Sequence, residues 1–136
     1  MTPPRFRSPI SLTGHTRRVS SVAMTADGRR VLSASLDRTL RLWDAASASC
    51  ERVLTGHTSD VNAVDVSTAS PDGRTALSGA KDRTLRLWNL ATGECRKVLE
   101  GHADVVRAVS FLPGGRFALS GGEDKTVRMW DLGDGA

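Results

Sequence analysis

The chain has 136 residues, 39% hydrophobic and 25% charged, which is the length and make-up of one globular domain rather than a disordered or fibrous chain. Its net charge of +4 is a modest basic excess that admits nucleic acid as an alternative partner, but the Arg residues recur at spaced positions instead of forming one basic run. Two cysteines, Cys50 and Cys95, are too few for a disulfide framework and lack the CxxC spacing of a zinc site.

Residues 1–7, rich in Pro and Arg, read as a loose lead-in. They hold no apolar core of signal-peptide length, and no run of about 18 apolar residues follows. The expectation is a cytoplasmic protein with no membrane partner. A short strand is predicted near Ser8–Leu12, immediately before Gly14-His15. After the His, Val19-Ser20-Ser21-Val22-Ala23-Met24 alternates as a strand does, and Asp27-Gly28 marks a tight hairpin turn with positive φ at both central positions. Val31-Leu32-Ser33 predicts the next strand. A second turn holds Asp37, and a fourth strand runs through Leu40 to Trp43-Asp44.

The chain then repeats itself twice. Arg52-Val53-Leu54 precedes Gly56-His57, and Lys97-Val98-Leu99 precedes Gly101-His102. Alternating runs start at Val61 and Val106, turns fall at Asp72-Gly73 and Gly114-Gly115, and closing stretches end at Trp88-Asn89 and Trp130-Asp131. His-to-His intervals are 42 and 45 residues and Trp-to-Trp intervals 45 and 42, so the second repeat carries three extra residues within Ser67–Pro71. Repeats of this length are settled before any other reading, because each is one supersecondary unit that stacks on its neighbours. Cys50 and Cys95 fall at equivalent points, seven residues before His57 and His102, and read as small buried residues on equivalent strands. No segment carries a helical period, so the fold class is all-β.

Four strands in about 42 residues, opened by Gly-His and closed by Trp-Asp, resemble the WD-repeat β-propeller family. The resemblance covers residues 8–136 as one propeller segment, with repeats near 8–48, 49–93 and 94–134. It implies three four-stranded blades per chain and, in each, a structural tetrad of His, Ser, Asp and Trp. Carried over by position, these are His15, Ser33, Asp37 and Trp43, then His57, Ser78, Asp82 and Trp88, then His102, Ser120, Asp124 and Trp130. The same residue types spell a hydrolytic triad, but a triad needs an exposed, activated Ser and an oxyanion hole, and three equivalent copies are what a scaffold requires. The expectation is therefore a chain that is not an enzyme and uses no cofactor and no metal, since it has no phosphate-binding Gly loop or metal-ligand cluster.

Three blades do not close a ring, and neither terminal repeat has the polar outer face of a cap. The ring is expected to close by oligomerisation, a dimer of six blades in preference to a trimer of nine, or else the chain is part of a longer propeller. The resemblance implies binding of a protein or peptide partner on the face carrying the Gly-His loops and Asp turns. Three positions per repeat are candidates there: Arg18, Ser20 and Leu36; Asp60, Asn62 and Lys81; Val105, Arg107 and Glu123. Mixed charge with Leu36 and Val105 suits a polypeptide better than a phosphate backbone.

Overall fold

The computed structural model describes residues 9–69 and 74–133. It is built of three antiparallel sheets, with no helix among the described residues. The first sheet is β1 (Val19–Met24), β2 (Arg30–Ser35), β3 (Leu40–Asp44) and β4 (Ser49–Leu54), paired in chain order. The second repeats this with β5 (Val61–Val66), β6 (Thr75–Ala80), β7 (Thr84–Asn89) and β8 (Glu94–Glu100). The third has β9 (Val106–Phe111), β10 (Phe117–Gly122) and β11 (Val127–Asp131). Each sheet is one blade, and blade 2 lies between blades 1 and 3 through β1 against β5 and β5 against β9.

Two apolar cores fill the spaces between blades. Leu32, Leu40, Leu42 and Leu54 of blade 1 meet Val61, Val64, Val66, Ala76 and Leu90 of blade 2. Leu77, Leu85, Leu87 and Leu99 of blade 2 meet Val106, Val109, Ala118 and Leu132 of blade 3 in the same way. Alternation along each strand sends one set of side chains toward the preceding blade and the other toward the following one. A strand of a middle blade is thus buried on both faces, as β5 is at Val61, Ala63, Val64 and Val66.

The sequence expectations need four corrections. Among the described residues the third blade has three strands, not four. Residues 9–17 form no strand: the segment before Gly14-His15 matches the outer strands β4 and β8, and in a single chain no sheet edge lies there to pair with it. Cys50 and Cys95 do occupy equivalent strand positions, opposite Trp43 and Trp88, but Cys50 is exposed and Cys95 half-buried. Outer strands have one face in solvent, and each thiol instead receives a guanidinium Nη1–H, from Arg41 at 3.7 Å and Arg86 at 3.5 Å. At Asp27-Gly28 only Gly28 has positive φ. Asp27 keeps ordinary geometry because its carboxylate organises the loop, accepting from the Thr25 hydroxyl and the Arg29 amide. In the third repeat both Gly114 and Gly115 take positive φ. The Asp72-Gly73 turn and the lead-in at 1–7 lie outside the described residues.

Candidate functional site

Each blade carries one hydrogen-bonded chain linking a loop, two strands and a turn. In blade 1 the Trp43 indole Nε1–H donates to Ser33 Oγ at 2.8 Å, Ser33 Oγ lies 2.7 Å from His15 Nε2, and His15 Nδ1 lies 2.8 Å from Asp37 Oδ2. Blade 2 has the same links among Trp88, Ser78, His57 and Asp82 at 2.8, 2.6 and 2.8 Å. In blade 3 they join Trp130, Ser120, His102 and Asp124 at 2.7, 2.6 and 2.9 Å. Register explains why Trp and Ser meet: Ser33 stands opposite Arg41, so Trp43 is its diagonal neighbour across the β2–β3 ladder.

The bonding assigns the protons. Indole N–H only donates, so Ser Oγ accepts from it and sends its own proton to His Nε2, leaving Nδ1–H for the Asp carboxylate. The Ser hydroxyls are buried and committed at both ends, the reverse of an exposed nucleophile. The glycine before each His has a steric role. A Cβ on Gly56 would stand 2.8 Å from Arg86 Nη1 and 3.3 Å from the Trp88 ring, so the loop lies directly on the indole.

One partner of this network escapes the sequence reading. The Thr two residues after each Asp donates its hydroxyl to Asp Oδ1, at 2.6 Å from Thr39 and 2.7 Å from Thr84 and Thr126. The signal was present, since Asp-Arg-Thr, Asp-Arg-Thr and Asp-Lys-Thr stand at the three turns. The backbone amides of Thr16, Thr58 and Ala103 bind the other carboxylate oxygen, tying the Gly-His loop to the turn. At Asp37 and Asp82 burial opposes ionisation, yet the Thr hydroxyls, His rings and amides outweigh it and hold both carboxyls far below the usual range. At Asp124 the Thr126 hydroxyl and the Ala103 amide lead the same downward shift.

With loops and turns fixed, the candidate contact residues are fixed too. One depression on this face is lined by Arg18 and Leu36 of blade 1, Asp60, Asn62 and Lys81 of blade 2, and Val105, Arg107 and Glu123 of blade 3. Eight of the nine sequence-predicted positions come together there, and Ser20 does not. The three equivalent positions share a β-bulge and differ in the reach of the side chain. Ser20, Asn62 and Arg107 are each the unpaired extra residue of an inner strand, which turns their side chains out of the ladder. Ser20 spends its hydroxyl on the Val61 carbonyl of blade 2, and Asn62 donates to the Val106 carbonyl of blade 3 at 3.0 Å. Arg107, in the last of the described blades, donates to Glu123 at 2.9 Å. Among the described residues no His, Cys, Asp and Glu cluster has the arrangement to hold a metal, and no helix is long and apolar enough to cross a membrane.

The sequence profile of the WD domain, G-beta repeat, matches residues 6–44, 48–89 and 93–131. The chain belongs to the WD-repeat family. Among curated proteins it is 43% identical over 58 residues to a probable E3 ubiquitin ligase complex SCF subunit, sconB, of Emericella nidulans, covering 43% of this chain and 9% of that one. It is 39% identical over 56 residues to pre-mRNA-processing factor 19 of Bos taurus, covering 41% and 11%. It is 40% identical over 60 residues to autophagy-related protein 16 of Arabidopsis thaliana, covering 44% and 12%. The matched stretch therefore spans about a tenth of the length of these relatives.

Proposed function

We propose that this WD-repeat chain is a non-catalytic scaffold that binds a polypeptide through the face carrying the Gly-His loops and Asp turns. The observation that carries the reading is the convergence of eight positions, drawn from three blades, on one depression. Their identities differ from blade to blade while the tetrads stay constant, as expected where a partner meets each blade separately. One matched relative is named as a subunit of a protein complex, which supports an assembly role. The depression sets Arg18, Lys81 and Arg107 against Asp60 and Glu123 beside Leu36 and Val105, a mixed rim with a small positive excess that suits a peptide carrying an acidic residue and an apolar anchor. The scaffold works as a homo-oligomer, two copies giving six blades in preference to three giving nine.

A random-peptide display selection against the protein tests the binding face. Selected peptides carrying acidic and apolar residues are expected to bind an Arg18→Glu/Lys81→Glu variant at least about tenfold more weakly. Peptides indifferent to that variant would place recognition elsewhere. Binding to random duplex DNA that falls steeply with salt would overturn the polypeptide reading in favour of a phosphate-tracking surface.

A further inference from the structure

The two ends of the blade stack are the two halves of one joint. At the blade 1–2 and 2–3 joints the donating side presents two apolar residues of its third strand, Leu40 and Leu42 or Leu85 and Leu87, all 3% exposed or less. Their equivalents in blade 3, Val127 and Met129, are 77% and 65% exposed. The receiving side presents the inner strand: Val61, Val64 and Val66 are buried against blade 1. Their equivalents in blade 1, Val19, Val22 and Met24, are exposed. These third-strand and inner-strand positions, covered by a neighbour inside the chain, are bare at the ends.

Shape repeats as well. Gly79 makes room for blade 3: a Cβ there would come within 2.6 Å of Val106 and 2.8 Å of Val109. Its equivalent Gly121 has nothing within 4 Å of that point. Gly121 lies in a shallow apolar depression with Ala108, Val109, Leu119 and Val127. The residues that correspond to Val106 and Val109 on the other end are Val19 and Val22. The polar layer is not repeated position by position: Ser21 of blade 1, which accepts from the Val64 amide, aligns with Ala63, whereas Asp65 of blade 2, which accepts from the Phe111 amide, aligns with Ala23. In blade 3 the equivalent of Asp65 is Ser110, an exposed residue whose hydroxyl reaches only its neighbouring carbonyl, that of Phe111.

We infer that the open face of blade 3 docks on the open face of blade 1 of a second copy of this chain, head to tail. Val19 and Val22 of the second copy enter the depression at Gly121, Val127 and Met129 are covered, and the Arg107 bulge leaves Glu123 for the Val19 carbonyl, as Ser20 and Asn62 bind theirs. Both halves of the joint are present in each chain, so the contact closes a ring if the rotation allows. The inference rests on the self-assembly reading above and specifies its seam.

Sedimentation equilibrium of the purified chain tests it with two variants, Gly121→Leu and Val22→Glu. Both residues are unencumbered in the single chain, so circular dichroism should show each folded. The native chain is expected to associate at micromolar concentration, and each variant alone to associate at least about a hundredfold more weakly, because a filled depression or a buried carboxylate blocks the one seam. Mixed together, the two variants keep one intact seam and should form a one-to-one pair. A native chain that stays monomeric overturns both the seam and the assembly. Association that survives both variants, or variants that fail to complement on mixing, overturns the seam alone.

Discussion

At the scale of single residues, the tetrad carboxylates make the fold sensitive to acid. A free Asp titrates near 3.8, and Asp37, Asp82 and Asp124 are all held well below that value. A depressed folded pKa gives stability that is fully present above the unfolded value and lost as pH falls through it toward the folded one. Stability is therefore expected to be flat from pH 7 to about 5 and to drop progressively below, read as the urea midpoint across that range. Asp82→Asn isolates the cause: its Oδ1 still accepts from Thr84, but its NH2 faces the Thr58 amide and the donating His57 ring. A cost of about 1.5–3 kcal/mol at pH 7, with a shallower acid slope, is expected. An unchanged slope would mean that these carboxylates do not set the acid limit.

At the scale of elements, most strands and turns are legible because repetition triples the signal. The alternation at Val19, Val61 and Val106 places β1, β5 and β9, and the Gly-His and Trp pairs place the tetrads. What the sequence does not disclose depends on neighbours. Pro9-Ile10-Ser11-Leu12 has a strand's pattern, yet a strand exists only beside a partner edge. Cys50 has a core residue's preference, yet its burial depends on which face of an outer strand it occupies. Ser20 looks like Asn62 and Arg107, but its short side chain is consumed by the Val61 carbonyl. Comparing repeats also exposes a local defect. Ala48 in the β3–β4 turn has φ of 58°, where its counterpart Gly93 in the β7–β8 turn has 82°. An alanine in left-handed backbone carries strain that glycine lacks, partly offset by the entropy glycine loses on folding. Ala48→Gly is expected to raise stability by about 0.5–1 kcal/mol, and a lower urea midpoint would refute the strain argument.

At the scale of the whole molecule, a stack whose units touch only their neighbours has stability that varies along its length. Blade 2 is covered on both sides, whereas blade 1 lacks cover on its β1 side and blade 3 on its β11 side. Native-state amide exchange should follow that order under dilute, monomeric conditions. Protection should be greatest in β6 and β7, whose Leu77, Leu85 and Leu87 are fully buried, and least in β1 and β11. β9 should sit between them, because Val106 is buried against blade 2 while Ala108 and Ser110 face outward. The two ends should also open separately, since no core joins blade 1 to blade 3. Raising the concentration adds cover at both ends at once, so β1 and β11 should gain protection together, while β6 and β7 gain none beyond the global limit. Gly121→Leu should abolish that gain at both ends, although the substituted residue lies 9 residues from Trp130 and about 100 residues from Val19. Uniform protection across the three blades in the monomer would show that the chain unfolds as one unit and that its exposed faces cost it nothing.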